Sequence, residues 1–416
     1  MGWRNDRSVN SSNMQLSNVY TSKGRLENIS GYICAGGKLN NFLISGGIEP
    51  DDRYMPLYSV LDSLIGRIPV IIIHSGDVHI EAMAMESWQM FNAGSENPTQ
   101  FWNCNGRNPS LEPFYGMNEM QIVNTLRQLS LKLNYTVTPR FERVVRAHLS
   151  ILKALEIPYS LSGLYYLCQF YDMGEFHNNI MALPCEESVT RRIWADLGAD
   201  DEGGNGQFDL FRAVINNLVH DAEQSGWNSD NTVCDCNCMQ TIMKNGTLVL
   251  SINDMYSNML LPYLTEELKT QGASQYFILF DGITLKDESL LEYLCAQSSG
   301  CTFGIVSENA VDQVGSDEDA FLRVTERMDC IVLFKHSTGK TATTLSEVFG
   351  KYDYTKIEQS QGVSRGFFKF LPQDRHDDIR YSTENRYRVM PEEIIGLRKG
   401  QAIIFDMSSD QIIHYN

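Results

Sequence analysis

A short apolar strand, Asn41-Phe42-Leu43-Ile44-Ser45, runs into a pair of glycines and then into a helix. This strand–loop–helix constrains the fold more than any other stretch, because it is the unit from which parallel α/β sheets are built. Its loop reads Gly46-Gly47-Ile48-Glu49-Pro50-Asp51-Asp52-Arg53, and Tyr54-Met55-Pro56-Leu57 lead into the helix. A loop that cradles nucleotide phosphates reads G-x-x-x-x-G-K-S/T; its lysine brings charge to the phosphates and its hydroxyl binds Mg²⁺. Gly46 holds the first glycine position, but Asp51, Asp52 and Arg53 stand where Gly, Lys and Ser/Thr belong. An acid in the lysine position reverses the sign of a contact worth about 4 kcal/mol at ~4 Å and an effective dielectric of about 20. By itself, 46–53 reads as an ordinary surface loop. The order of the surrounding elements changes that reading.

From residue 41 onward, apolar strands alternate with helical patterns. Strands are expected at 41–45, 69–74, 247–252, 276–281, 301–306, 330–335 and 401–406. The alternation predicts an α/β fold with a mainly parallel sheet. Residues 119–245 interrupt it and read as mostly helical. Phe141, Val144, Val145, Leu149, Leu152 and Leu155 fall on one helical face there and are expected in the core. The organisation expected is a Ser- and Asn-rich disordered tail at 1–22, an α/β domain from 23–118 and 246–416, and a helical insertion at 119–245. The chain has 416 residues and 43% hydrophobic content, enough for a large core. Its net charge of −18 argues against broad affinity for nucleic acid or anionic lipid. No signal-peptide core opens the chain and no apolar run reaches the length of a bilayer span, so the expectation is a cytoplasmic protein without membrane insertion.

The ten cysteines are scattered rather than framed, and Cys168, Cys295 and Cys330 lie in apolar stretches that suit reduced core thiols. Cys234-Asp235-Cys236-Asn237-Cys238 alternates thiols. Structural zinc uses C-x₂₋₄-C pairs and a second pair, and no clear second pair appears. A loop of free thiols is therefore the expectation and metal binding the alternative. The acidic, Gly-rich stretch 200–206 lacks the alternating ligand pattern of a calcium loop.

Tyr276-Phe277-Ile278-Leu279-Phe280-Asp281-Gly282 is an apolar strand ending in an acid, where a phosphate-loop enzyme places its metal-side aspartate. The glutamate that would follow it and polarise water is Gly282. The succession of elements resembles that of the TraG/TraD-type coupling proteins of type IV secretion. The carrying segments are Val70 to Asp77, Phe101 to Leu111, the helix at 139–155, Gly246 to Ile252, and Cys301 to Val306. Further segments are Met328 to Phe334, the helix Thr341-Ala342-Thr343-Thr344-Leu345-Ser346-Glu347-Val348-Phe349-Gly350-Lys351-Tyr352, and the closing stretches at 390–394 and 399–405. The resemblance spans about 41–406.

It implies a P-loop NTPase (RecA-like) fold whose nucleotide site has eroded: Gly46, Gly47, Asp51, Asp52 and Arg53 in the loop, Asp281 and Gly282 on the second strand, and Glu308 where the family usually has a sensor glutamine. No catalytic residue, metal or cofactor is expected, with ATP and Mg²⁺ as the alternative. The family's N-terminal membrane helices are not expected in this sequence. The leading reading is a pseudo-ATPase that acts as a binding or assembly module, in a homo- or hetero-oligomer with an active coupling-type ATPase. A divergent ATPase of DNA transfer is one alternative. A single-stranded DNA-binding module is the other, resting on Arg375, Arg380, Arg386 and Arg388 interleaved with aromatics. Thr338-Gly339-Lys340-Thr341 contains G-K-T, but Phe334 replaces the glycine a full loop needs. Helix capping by Ser337 or Thr338 is the role expected there.

Overall fold

The computed structural model describes residues 29–34, 39–76, 78–103, 112, 114, 116–198, 205–224, 238–252, 264–266, 268–269, 275–285, 288–296, 300–314, 318–363 and 375–415. The tail expected at 1–22, and Cys234 and Cys236, lie outside these residues.

The strands, in chain order, are β1 Phe42–Ser45, β2 Val70–His74, β3 Phe101–Asn103, β4 Thr247–Ser251, β5 Tyr276–Asp281, β6 Cys301–Ser307, β7 Cys330–Leu333, β8 Lys351–Val363, β9 Arg375–Tyr387, β10 Ala402–Asp406 and β11 Gln411–Tyr415. Nine of them form one sheet in the order β11-β10-β7-β1-β6-β5-β2-β4-β3. Every pairing from β7 to β3 is parallel, and β10 and β11 close one edge antiparallel. The mainly parallel α/β sheet predicted from the alternation is thus the fold, and each of the seven expected strands lies in it. β8 and β9 pair only with each other as a separate two-stranded ribbon. Their polar sequences carry no apolar run to announce a strand; β3 has only three residues, and β11 is an edge strand that is mostly not buried, which is why the apolar pattern does not show them.

The central strands are buried on both faces, so they read as unbroken apolar runs. Side chains nonetheless alternate between two cores. Leu43, Ile71, Ile73, Ile278 and Phe280 enter one core, shared with the helices between β3 and β4. Phe42, Ile44, Val70, Ile72, Phe277 and Leu279 enter the other, with the helices Pro50–Leu64 and Val78–Asn92.

Between β3 and β4 the described residues hold helices and no strand: Glu119–Lys132, Pro139–Ala154, Leu161–Cys168, Met173–Met181, Glu187–Leu197, Asn205–Gln224 and Cys238–Met243. Phe141, Val144, Val145, Leu149 and Leu152 are fully buried. Leu155 is not: it is the C-cap residue of its helix, past the last packed turn, and is 40% exposed. No helix among the described residues is long and apolar enough to cross a membrane.

Candidate functional site

The strand order brings together the three elements that the resemblance marks as a candidate nucleotide site. β6 lies between β1 and β5, so the loop after β1, Glu308 after β6, and Asp281 at the end of β5 meet at the carboxyl edge of the sheet. Such an edge is where open α/β sheets bind ligands.

The two glycines of the loop are required by geometry. Gly46 has φ +91°, and a Cβ there would stand 2.8 Å from the carbonyl oxygens of Phe334 and Lys335. Its N–H donates to the Ser307 carbonyl, and the Gly47 N–H to the Lys335 carbonyl, both at 3.0 Å. Gly47 has φ +117°. The loop is thereby pinned across the ends of β6 and β7.

The helix begins earlier than its sequence suggests. Pro50 takes the first helical position, where its missing N–H costs nothing, so Asp51, Asp52 and Arg53 form the first turn rather than a loop. Asp51 is exposed to solvent. Asp52 is 2% exposed and turns back into the loop. Its Oδ2 accepts from the N–H of Ile48 at 2.9 Å and of Glu49 at 3.3 Å. These are backbone donors that a phosphate loop offers to its anion. Here the anion is a carboxylate of the chain itself. Lys399 closes the rim from the far end of the sequence: its Nζ donates to the Glu49 carboxylate, which raises the pKa of the exposed ammonium.

Arg53 is also buried. Its Nη1 donates to the Gly46 carbonyl and its Nη2 to Glu308 Oε1, each at 3.2 Å. The Glu308 side chain is otherwise open to solvent. Tyr54, next in the helix, donates its hydroxyl to Asp281 Oδ2 at 3.0 Å, within the protein interior. Beyond Asp281, Gly282 has φ +66°, and a Cβ there would lie 2.5 Å from Ser75 Oγ. A glutamate at 282 would therefore need both a left-handed backbone and a displaced Ser75. A cleft of about 390 Å³ opens between these groups and the helix Ala310–Gln313. Tyr54, Ser75 and Gln313 line it without any motif in the sequence to announce them. For Tyr54 the signal is only its place one residue beyond the expected hydroxyl.

The remaining candidates lie elsewhere. Arg386 pairs with Glu384 at 3.0 Å and stacks 4.0 Å over the Tyr354 ring. Arg388 pairs with Asp410 and lies over Phe405. Arg375 and Arg380 belong to β9, and their side chains are outside the described residues. Gly339–Val348 is a helix whose N-cap is Thr338, but that hydroxyl donates to Thr341 Oγ1 at 2.8 Å instead of capping the backbone. Ser337 is exposed and Thr338 takes the cap position by backbone alone. Cys238 is buried in its helix, and no cluster of His, Cys, Asp or Glu suited to a metal occurs among the described residues.

Comparison with protein-family models finds no match, and comparison with curated proteins finds none in sequence. Solved structures do match. The plasmid coupling protein TrwB in complex with a non-hydrolysable GTP analogue superposes with a TM-score of 0.57 at 12% identity, over 91% of this chain and 87% of that one. The unbound monoclinic form of the bacterial conjugative coupling protein TrwB gives 0.55 at 12% identity, over 88% and 84%. TrwB with a non-hydrolysable ATP analogue gives 0.53 at 12% identity, over 90% and 84%. The chain therefore has the P-loop NTPase-like α/β fold of the conjugative coupling proteins, as the order of its motifs implies.

Proposed function

We propose that this protein is a pseudo-ATPase of the coupling-protein fold, retained as a binding or assembly module for type IV secretion. One observation carries the reading: the Asp52 carboxylate accepts the loop's own amides from Ile48 and Glu49. Hydrogen bonds to a charged group contribute roughly 1.5–3 kcal/mol each, and a tethered anion competes at the millimolar effective concentration of an intramolecular ligand. An incoming phosphate must displace that carboxylate and then face its charge. TrwB has been solved with GTP and ATP analogues; in this chain the equivalent chemistry is replaced on both sides of the cleft. No lysine or Mg²⁺-binding hydroxyl stands in the first helical turn, and Asp281 is engaged by Tyr54. We infer that the retained fold serves in assembly, with copies of itself or with an active ATPase of the same fold.

The test is calorimetric titration of the full chain with ATP–Mg²⁺. No saturable heat is expected up to about 1 mM nucleotide, the level at which only some 4 kcal/mol of binding would be needed. Micromolar affinity would overturn the proposal and favour a divergent ATPase.

A further inference from the structure

β8 and β9 stand apart from the large sheet. Each has 13 residues, against 7 in the longest strand of that sheet, so the ribbon is about 40 Å long. Among the described residues the two strands pair only with each other. A lone two-stranded hairpin is marginal in water, and its outer edges offer N–H and C=O groups to a further strand. The large sheet guards its own edges with short strands, β3 of 3 residues and β11 of 5. The ribbon is not shortened, and no proline interrupts either of its strands.

Charge says what can lie against it. The chain carries −18 overall, which opposes self-association at most of its surface. The ribbon strands are neutral: Lys351 and Lys356 offset Asp353 and Glu358 in β8, and Arg375, Arg380 and Arg386 offset Asp377, Asp378 and Glu384 in β9. Lys351 lies over the Tyr387 ring, and Arg386 lies over Tyr354 and pairs with Glu384. This balance gives a polyanion no basic stripe, and it lets a second acidic copy approach without repulsion. We propose that two copies of this chain join through β8, edge to edge and antiparallel, with strand order β9-β8-β8-β9 across the pair. The pairing rests on the assembly role proposed above and gives it a surface. A two-fold axis needs one central residue opposite itself, and only Ile357, the midpoint of Lys351–Val363, uses the whole strand. That centre sets Lys356 opposite the partner's Glu358, twice by symmetry. It also sets Tyr352, 47% exposed, opposite the partner's Gly362, where an aromatic ring covers a strand glycine. Moving the centre by one residue brings Lys356 against Lys356 or Glu358 against Glu358. β9 offers no equivalent: about its midpoint, Tyr381, Asp378 meets Glu384 twice. Opposite charges directly across an antiparallel pair stabilise it, and like charges weaken it.

Sedimentation of the full chain should show a dimer with a Kd below about 10 µM. Lys356→Glu sets acid against acid at both symmetric positions and should weaken the dimer at least roughly tenfold. Glu358→Lys should do the same by setting cation against cation. It is made together with Arg380→Glu, because Arg380 is the residue opposite it within the ribbon. Mixing these two variants restores both opposite-charge pairs, so the mixture should recover the dimer that neither forms alone. Ile357→Cys, opposite itself at the axis, should give a diamide-induced cross-linked dimer that Gln359→Cys does not. A parent that stays monomeric at about 100 µM, a dimer indifferent to Lys356→Glu, no recovery on mixing, or equal cross-linking at 357 and 359 would each overturn the proposal. A parallel ATP–Mg²⁺ titration reads the loop and not the ribbon. A monomer that binds no nucleotide therefore sinks the pairing and leaves the pseudo-ATPase reading standing.

Discussion

Two turns in this molecule join a parallel strand to a helix, and they divide a phosphate loop's properties between them. The loop after β1 has the shape without the letters: Gly46 and Gly47 in left-handed conformations, backbone N–H groups turned inward, and an acid where the lysine belongs. The turn after β7 has the letters without the shape. Gly339-Lys340-Thr341 opens a helix directly, Gly339 and Lys340 are exposed, and a Cβ at Gly339 would meet nothing within 4 Å. An anion site is made by converging backbone donors, and these depend on a backbone path. A three-letter signature on a helix that starts without a cradle does not supply one.

The difference is largest in what a methyl group would do. Gly46→Ala forces a left-handed residue and sets a Cβ 2.8 Å from two carbonyl oxygens of β7's end. A loss of about 3–4 kcal/mol is expected, at the high end for a single substitution. Gly339→Ala, in a helical position with open space, should instead stabilise by roughly 0.5–1 kcal/mol. Urea midpoints of the two variants read both effects. Equal tolerance at 46 and 339 would show that the first loop is not held in the shape described.

The two turns meet at His336, whose ring nitrogen would sit 2.9 Å from a Cβ at Gly46. Burial depresses its pKa from the usual 6.5 to about 4. His148, packed among Phe176, Phe208 and Phe211 in the helical region, is depressed to about 4 in the same way. Both are neutral in the folded protein, whereas the unfolded chain takes up their protons below pH 6.5. Their contribution is present above 6.5 and is lost as pH falls toward 4, up to about 3 kcal/mol for each at one pKa unit per 1.36 kcal/mol. Glu112 has the opposite sign. Burial raises it from 4.5 to about 7, so its contribution is complete below 4.5 and lost as pH rises through 7. Between pH 6.5 and 4.5, His336→Gln and His148→Phe should each flatten the acid loss of stability, and Glu112→Gln should steepen it. If His336→Gln leaves the pH profile of the urea midpoint unchanged, the histidine is not held neutral between the turns.

Much of this was legible from residues alone, and the reason differs by element. The central strands were legible because burial on both faces leaves apolar runs such as Val70-Ile71-Ile72-Ile73. The convergence of Asp281 and Glu308 on the loop needed the resemblance, because strand order is set by pairing across more than two hundred residues. That an acid, Asp52, stands at the position a phosphate loop gives to lysine was legible from the motif spacing. Its role as the loop's own anion was not, since that depends on the helix starting at Pro50 and on the χ angles that turn the carboxylate inward. Lys399 and Gln313 reach the site by long-range packing, for which one sequence carries no signal. The ribbon β8–β9 was missed for a similar reason: its pattern is polar, and only its register defines it.

A smaller effect tests the tethered anion. Asp52→Asn keeps the shape of the side chain and removes its charge. The cost should be about 1–2 kcal/mol, the difference between charged and neutral acceptors for the Ile48 and Glu49 amides. The same change should make the loop respond to anions. Inorganic phosphate at tens of millimolar should raise the melting temperature of the variant more than that of the parent, since binding to the folded state alone stabilises by mass action. An unchanged response would mean that the inward N–H groups do not converge on a phosphate-sized site.

The smallest effect expected is at the residue that looks most like a phosphate-loop lysine. Lys340 is exposed in the first turn of the helix Gly339–Val348. A cation there opposes the partial positive charge of the helix N-terminus, which costs about 0.3–1 kcal/mol at a surface. Lys340→Ala should therefore leave stability unchanged or raise it by a few tenths of a kcal/mol. It should not alter the phosphate response gained by Asp52→Asn, because the two turns lie at the ends of different strands and only the first has inward amides. Combining the substitutions tests this directly. If Lys340→Ala abolished the phosphate-dependent rise in melting temperature of the Asp52→Asn variant, phosphate would be held at the turn after β7, and the letters would have outweighed the shape.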